Sequence, residues 1–213
     1  DALPIYAGAR RGAVMDDSQD PFDLAAFVDA LRGAAERANG DAITDEIGEP
    51  LSTYRAHFDQ DARLLTPDVL VALATLQRRL LVLHRQGHYA DAEQGLLCDL
   101  LDLLSVGAAK AALFADALAL PAVESDALSM VLSAELHPDI RQHAAALLLH
   151  MISAGVASTS ADDVRGFARS IEKHVGKAGH FGLQQHMVWL LRALGEHHPV
   201  CYSAMQAREH TPR

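Results

Sequence analysis

The sequence predicts an all-α fold, and three observations support the prediction. Half of the 213 residues are hydrophobic and only 5% are aromatic, and alanine and leucine are far commoner than runs of β-branched residues, a composition that favours helices. Apolar side chains recur at the three- and four-residue spacing of helix faces, and no stretch alternates as a half-buried strand would. Residues typical of helix starts and helix ends separate these apolar stretches. We therefore expect packed helices around a sizeable core.

Prolines and capping residues predict the first two helices. Asp20 and Pro21 predict the start of the first, because aspartate caps helices and proline suits their first turn. Asn39 and Gly40 predict its end. Pro50 predicts the start of a shorter second helix.

The clearest helix start is Thr66-Pro67-Asp68, where threonine caps, proline takes the first position and aspartate faces the positive helix end. Gly87 predicts the end of this helix, and Gly107 predicts the end of the leucine-rich helix that follows. The next predicted helix covers residues 108–120.

The C-terminal part predicts two helix pairs. Residues 121–155 have the pattern of two antiparallel helices joined by a short turn at His137 and Pro138. Ser160 predicts a capped start of the next helix. A further helix is expected from Phe181 to about residue 196, and no segment alternates as a strand would.

Two helical segments in this part are similar to each other. The segment His137–Ile152 and the segment Gly179–Leu194 lie 42 residues apart, and this shift aligns Gln142 with Gln184 and Leu148 with Leu190. A period of about 40–47 residues with two or three helices per unit is typical of armadillo and HEAT repeats.

The stretch around His137-Pro138-Asp139, followed by Arg141 and a pair of alanines, resembles an armadillo repeat. The resemblance covers about residues 66–196 and implies a right-handed armadillo/HEAT-like helical stack, within a single all-α domain of residues 20–213. The best units of the stack are residues 66–120, 121–155 and 160–196. Residues 1–19 show no period, and we expect them to form a leader arm. An irregular helical bundle is the alternative, because similar helices also arise from composition alone.

The same resemblance implies a surface for binding a partner. In such units a polar residue of the last helix lines a groove, and His150 and Arg192 take that position here, with Asp102 as the looser candidate in the earlier unit. The predicted partner-binding set also contains His143, Gln185 and Trp189. For Trp189, the only tryptophan, core packing is the default interpretation, and an exposed anchor is the alternative.

Motifs for catalysis or metal binding are weak. His84 and His88 have the four-residue spacing of two metal ligands on one helix face, but Gly87 lies between them at the predicted helix end. Asp99 and Asp102 could form an acid/base pair or a cation site, although a polar stripe on a half-buried helix explains them more simply. The sequence contains none of the nucleophile, phosphate-loop or dinucleotide motifs. We therefore expect no enzyme activity, cofactor or metal.

Charge and cysteine content narrow the expected partners and compartment. The net charge of −10 argues against nucleic-acid binding, which requires a basic face. The longest charge-free run is too polar for a membrane span. Two distant cysteines, Cys98 and Cys201, do not form a disulfide framework, so we expect an intracellular protein, cytoplasmic or nuclear.

The leading functional hypothesis is a non-catalytic scaffold that binds another protein or peptide on its helical surface. The partner could be basic, because residues 1–120 carry a net charge of −9. The alternative is a homo-oligomerisation domain with the segment around Trp189 as the seam. A histidine-metal enzyme is a third, weaker hypothesis.

Overall fold

The structure, a computed structural model, describes residues 22–86, 91–109, 120–155, 161–176 and 179–197. Within these ranges it contains α-helices, a short 3-10 helix at Ala62–Leu64 and no strand, so the all-α prediction is confirmed. The α-helices are α1 (Leu24–Ala35), α2 (Gly40–Gln60), α3 (Pro67–Arg85), α4 (Asp91–Ala109), α5 (Leu120–Leu132), α6 (Pro138–Ser153), α7 (Ala161–Val175) and α8 (Phe181–His197).

Contacts between helices follow two rows. In the even-numbered row, α4 packs against α2 and α6, and α6 packs against α8. In the odd-numbered row, α1 packs against α3 and α5 contacts α7. Arg78 joins α3 to α5 by donating to Asp126 over 2.9 Å, and Arg85 does so by donating to Ser129 over 2.6 Å. Each odd-numbered helix also packs on the even-numbered helix that follows it, so the rows enclose a shared core.

The core is one contiguous cluster with side chains from every α-helix. Its largest fully buried members are mostly leucines, as the composition predicts, and Tyr54 is the largest aromatic side chain among them. No described helix is long and apolar enough to cross a membrane.

The prediction for the first two helices is wrong in its boundaries. The cap of α1 is Asp23, whose Oδ1 accepts a hydrogen bond from the Ala26 amide over 3.0 Å; the predicted start at Asp20 and Pro21 lies outside the described residues. Asn39 does not end α1 but caps α2, accepting from the Ala42 amide over 2.9 Å.

Pro50 lies inside α2 and does not begin a helix. An internal proline lacks the amide that would bond four residues back, so it normally disfavours a continuous helix. Packing outweighs this cost, because one apolar face continues unbroken on both sides of the proline. That buried face consists of Ile43, Ile47, Leu51, Tyr54 and Phe58.

Gly107 is also not a helix stop. It lies within α4 and is buried, and a Cβ atom there would come within 2.7 Å of Leu70 Cδ2 on α3. Glycine at this position therefore permits close packing of α3 on α4. Ala108 belongs to α4, and most of the helix predicted over residues 108–120 lies outside the described residues, as does the predicted stop at Gly87.

The predicted start of α3 and the predicted pairing of α5 with α6 agree with the structure. Thr66 caps α3 as expected, and α5 and α6 form the predicted pair. Arg141 stabilises that pair: it is buried, and its Nε and Nη2 atoms both donate to the Val131 carbonyl over 3.1 Å. Burial lowers the pKa of the guanidinium, but its charge completes the hydrogen bonding at the C-terminal end of α5. The predicted cap Ser160 lies outside the described residues.

An aromatic cluster joins α1 to α2. The Tyr54 ring stacks on Phe27 with centroids 4.3 Å apart, and Phe22 and Phe58 flank it at 5.7 and 5.9 Å. The Tyr54 hydroxyl donates to the Leu64 carbonyl over 3.4 Å. Burial raises the pKa of this hydroxyl well above its usual value of 10.0.

We expect Tyr54 to make the protein labile in alkali. Its pKa is higher in the folded state than in the unfolded state, so its contribution is complete below pH ~10 and is lost as the pH rises further. Urea unfolding between pH 8 and 11 should show a steeper loss of stability for the wild type than for Tyr54→Phe. Equal slopes for both proteins would contradict the assignment.

Candidate functional site

The structure separates the predicted partner-binding residues into two groups and one isolated position. Asp102 on α4 and His143 on α6 are in contact, with Asp102 Oδ1 2.7 Å from His143 Nδ1. Gln185, Trp189 and Arg192 all lie on α8. His150 is the isolated position: it is exposed in the last turn of α6, two helical turns beyond His143.

The first group extends across three helices through an arginine that sequence reasoning missed. Arg55 on α2 donates from Nη1 to Asp99 Oδ1 over 3.0 Å and from Nη2 to Asp102 Oδ2 over 3.3 Å. Asp102 therefore connects Arg55 to His143. The carboxylate pair already has a cation from the chain itself, so the polar-stripe interpretation suits it better than a vacant cation site.

Cys98 lies beside these carboxylates but is not an activated thiol. It is half-buried on α4, and burial raises its pKa to about 12, with the charges of Asp139, Asp102 and Asp99 acting in the same direction. A thiol with so high a pKa stays protonated at neutral pH and is a poor nucleophile.

The second group belongs to an exposed stripe along α8. Phe181 is 78% exposed, Val188 51% and Trp189 43%. Gln185 and Arg192, which are also exposed, continue the stripe at helical spacing. The core interpretation of Trp189 is therefore wrong: Met187, Leu190 and Leu194 bury the other face of α8. Because Val188 and Leu190 flank the tryptophan, the sequence alone did not show that Trp189 lies on the outward face.

Polar contacts order the stripe at its C-terminal end and beside the tryptophan. Arg192 Nε donates to Glu196 Oε1 over 2.8 Å, and this bond raises the pKa of the exposed arginine. The His186 ring meets the Trp189 ring edge-on, with centroids 5.0 Å apart. His186 itself is fixed by a 2.9 Å contact between its Nδ1 and the Gly182 carbonyl. These contacts hold an amphipathic surface of aromatic, aliphatic and polar groups.

Other histidines in the described ranges make local structural contacts. His174 Nδ1 lies 2.7 Å from the Ser170 carbonyl, and His180 lies at the start of α8, where it accepts from the Leu183 amide over 3.4 Å. Burial lowers the pKa of His84, and its predicted partner His88 lies outside the described residues. Among the described residues, no three histidine, cysteine, aspartate or glutamate side chains are grouped closely enough to hold a metal ion.

The described residues thus present two distinct surface features. A salt-bridged polar cluster crosses α2, α4 and α6, and an apolar stripe follows α8. Comparison with protein-family models, with curated proteins and with solved structures finds no match to this chain.

Proposed function

We propose that the protein is a non-catalytic module that binds another protein on its helical surface. The observation that carries the proposal is the α8 stripe, in which Phe181, Val188 and Trp189 are exposed on one face of the helix. Exposed apolar patches mark interaction sites, and tryptophan is enriched among the residues that dominate binding energy.

The dimensions of the stripe favour a helical partner. From Phe181 to Arg192 it covers about 16 Å along α8, the length of three helical turns. A partner helix with an apolar face could bury the two aromatic rings, while Gln185 and Arg192 lie at the polar rim. The exposed Arg192 would favour an acidic residue at that end of the partner.

We also propose that the helices form an armadillo/HEAT-like stack. Side-chain contacts between helices of the same row join residues 41 to 53 positions apart, close to the expected repeat period. Stacked helical repeats offer an extended surface on which partners dock. In this proposal the exposed stripe on α8 forms part of that surface.

Asp102, His143 and His150 belong to the same proposed surface on the even-numbered row. Arg55 pairs both with Asp102 of this group and with Asp99, and exposed ion pairs contribute little to stability. The group can therefore rearrange toward a partner at small cost. We assign it to the rim of the interaction surface, with the α8 stripe at its centre.

The α8 variants should lose partner binding and keep their stability. Trp189→Ala and Phe181→Ala should each weaken the complex by at least ~2 kcal/mol, or about thirtyfold, if these rings are the anchors. Arg192→Glu should weaken it less. Proteins retained by the immobilised full chain would be identified by mass spectrometry, and the affinity of a purified one measured by calorimetry.

Val106→Ala is the matched control, since Val106 is an exposed apolar residue on α4. It should retain the same proteins as the wild type. Equal retention by the Trp189→Ala and Phe181→Ala variants, with melting temperatures unchanged, would refute the α8 stripe as the binding surface.

Homo-oligomerisation through α8 is the second candidate, favoured because, among the described helices, α8 packs chiefly on α6 and α7 and leaves the stripe on its other face exposed. Two copies could bury the same stripe against each other in a twofold interface. Light scattering over a range of concentrations decides between the candidates. A dimer that Trp189→Ala converts to a monomer supports self-association, and a concentration-independent wild-type monomer excludes it.

A further inference from the structure

A groove runs between α2 and α4, where the even-numbered row is least tightly packed. Its volume is about 540 Å³. Leu51 and Leu96, both buried, contribute an apolar floor, and the charged side chains of the lining are Asp59, Asp99 and Arg55, which pairs with Asp99. The groove is distinct from the α8 stripe and lies at the other end of the row.

The two helices that form this groove carry a large excess of negative charge. The two helices carry nine carboxylates and one arginine, a formal charge of −8 out of −10 for the whole chain. Arg37 pairs with Glu46 on α2, and Arg55 pairs with Asp99 on α4. Asp45, Glu49 and Asp59 remain exposed along α2. An apolar floor between acidic rims is complementary to an amphipathic, basic ligand.

Two glycines in the walls leave space that the chain itself does not fill. Gly48 and Gly95 lie inside α2 and α4, and a Cβ atom at either would meet nothing within 4 Å. In contrast, a Cβ at Gly107 would press on Leu70. Glycine disfavours a helix interior, so packing within this chain explains Gly107 but not the other two. Both open glycines permit close approach of another backbone.

The groove also contains a polar group without a partner in the described part of the chain. The Thr44 hydroxyl oxygen is buried and makes no hydrogen bond there. Buried polar groups are normally satisfied. Because that oxygen is closed to solvent, a segment lying in the groove would satisfy it only after the Thr44 side chain rotates.

We propose that the α2/α4 groove binds a basic segment of a partner protein. Apolar side chains of the segment cover Leu51 and Leu96, its backbone passes Gly48 and Gly95, and its lysine or arginine side chains reach the carboxylates of the rim. This inference rests on the proposed function of protein binding, but it concerns a second surface and a partner of defined charge.

The experiment uses two fluorescent twelve-residue peptides with leucines at the same positions and either lysines or glutamates between them. Fluorescence polarisation with the full chain should show binding of the lysine peptide and none of the glutamate peptide. Gly95→Leu, which fills the groove, should weaken binding at least about tenfold. The double variant Asp59→Asn, Asp99→Asn should weaken binding of the lysine peptide about fivefold at low salt. The effect should be smaller at high salt, because salt screens the attraction between the peptide and the carboxylates.

Matched controls distinguish the groove from general attraction to an acidic protein. Gly166→Leu alters a glycine on α7 that also has open space around its Cβ position, and Glu135→Gln removes an exposed charge near α6. Neither should change binding. The proposal is overturned if the lysine peptide does not bind, or if the controls weaken binding as much as the groove variants. Trp189→Ala should leave peptide binding intact, so failure at the groove is separable from failure at the α8 stripe.

Discussion

Tyr54→Ala is expected to lower the free energy of unfolding by about 3–5 kcal/mol, the range for truncating a large buried aromatic side chain. Tyr54 is fully buried and contacts three phenylalanine rings from the first two helices and the segment before them. Removing its ring leaves a cavity that the rigid neighbouring rings cannot close. Urea denaturation followed by circular dichroism measures the change.

Tyr54→Phe is the control, because it keeps the ring and loses only a long 3.4 Å hydrogen bond. It should cost about 1 kcal/mol or less. A loss below about 1 kcal/mol for Tyr54→Ala would mean that the aromatic cluster does not hold α1 on α2. Because α2 forms one wall of the acidic groove, the alanine variant should also bind the lysine peptide more weakly than Tyr54→Phe does.

The sequence predicted those parts of the fold that depend on local signals. Thr66 and Pro67 mark the start of α3 because a cap and a first-turn proline act within one helical turn. The same local rules failed at Pro50 and Gly107, where the decisive interactions are tertiary. The apolar face of α2 continues through Pro50, and Gly107 contacts α3.

The candidate surfaces were only partly predictable for the same reason. Gln185 and Trp189 were selected as partner-binding residues, but nothing local showed which side of α8 faces the core. Arg55 was missed because its partners Asp99 and Asp102 are 44 and 47 residues away. The groove could not be predicted from the sequence, because the distance between α2 and α4 depends on how all helices of the row pack.

Leu148→Ala and Leu190→Ala are each expected to lower the free energy of unfolding by about 2–5 kcal/mol, because each leaves a cavity in the core. Leu148 is 2% exposed on α6 and Leu190 is fully buried on α8. The two residues are 42 positions apart. If they occupy equivalent places in a repeating stack, as we propose, their losses should be similar.

The next residue in each helix provides the control. Leu149 and Leu191 are only partly buried at the edge of the core, so alanine at either should cost less than at its buried neighbour. Losses below about half a kcal/mol at both Leu148 and Leu190, the range of surface substitutions, would mean that the inward faces of α6 and α8 are wrongly assigned. If the assignment is correct, the two faces of α8 should also respond differently. Leu190→Ala, on the inner face, should reduce stability and leave the affinity of the folded protein for its partner unchanged. Trp189→Ala, on the outer face, should reduce that affinity and leave stability unchanged.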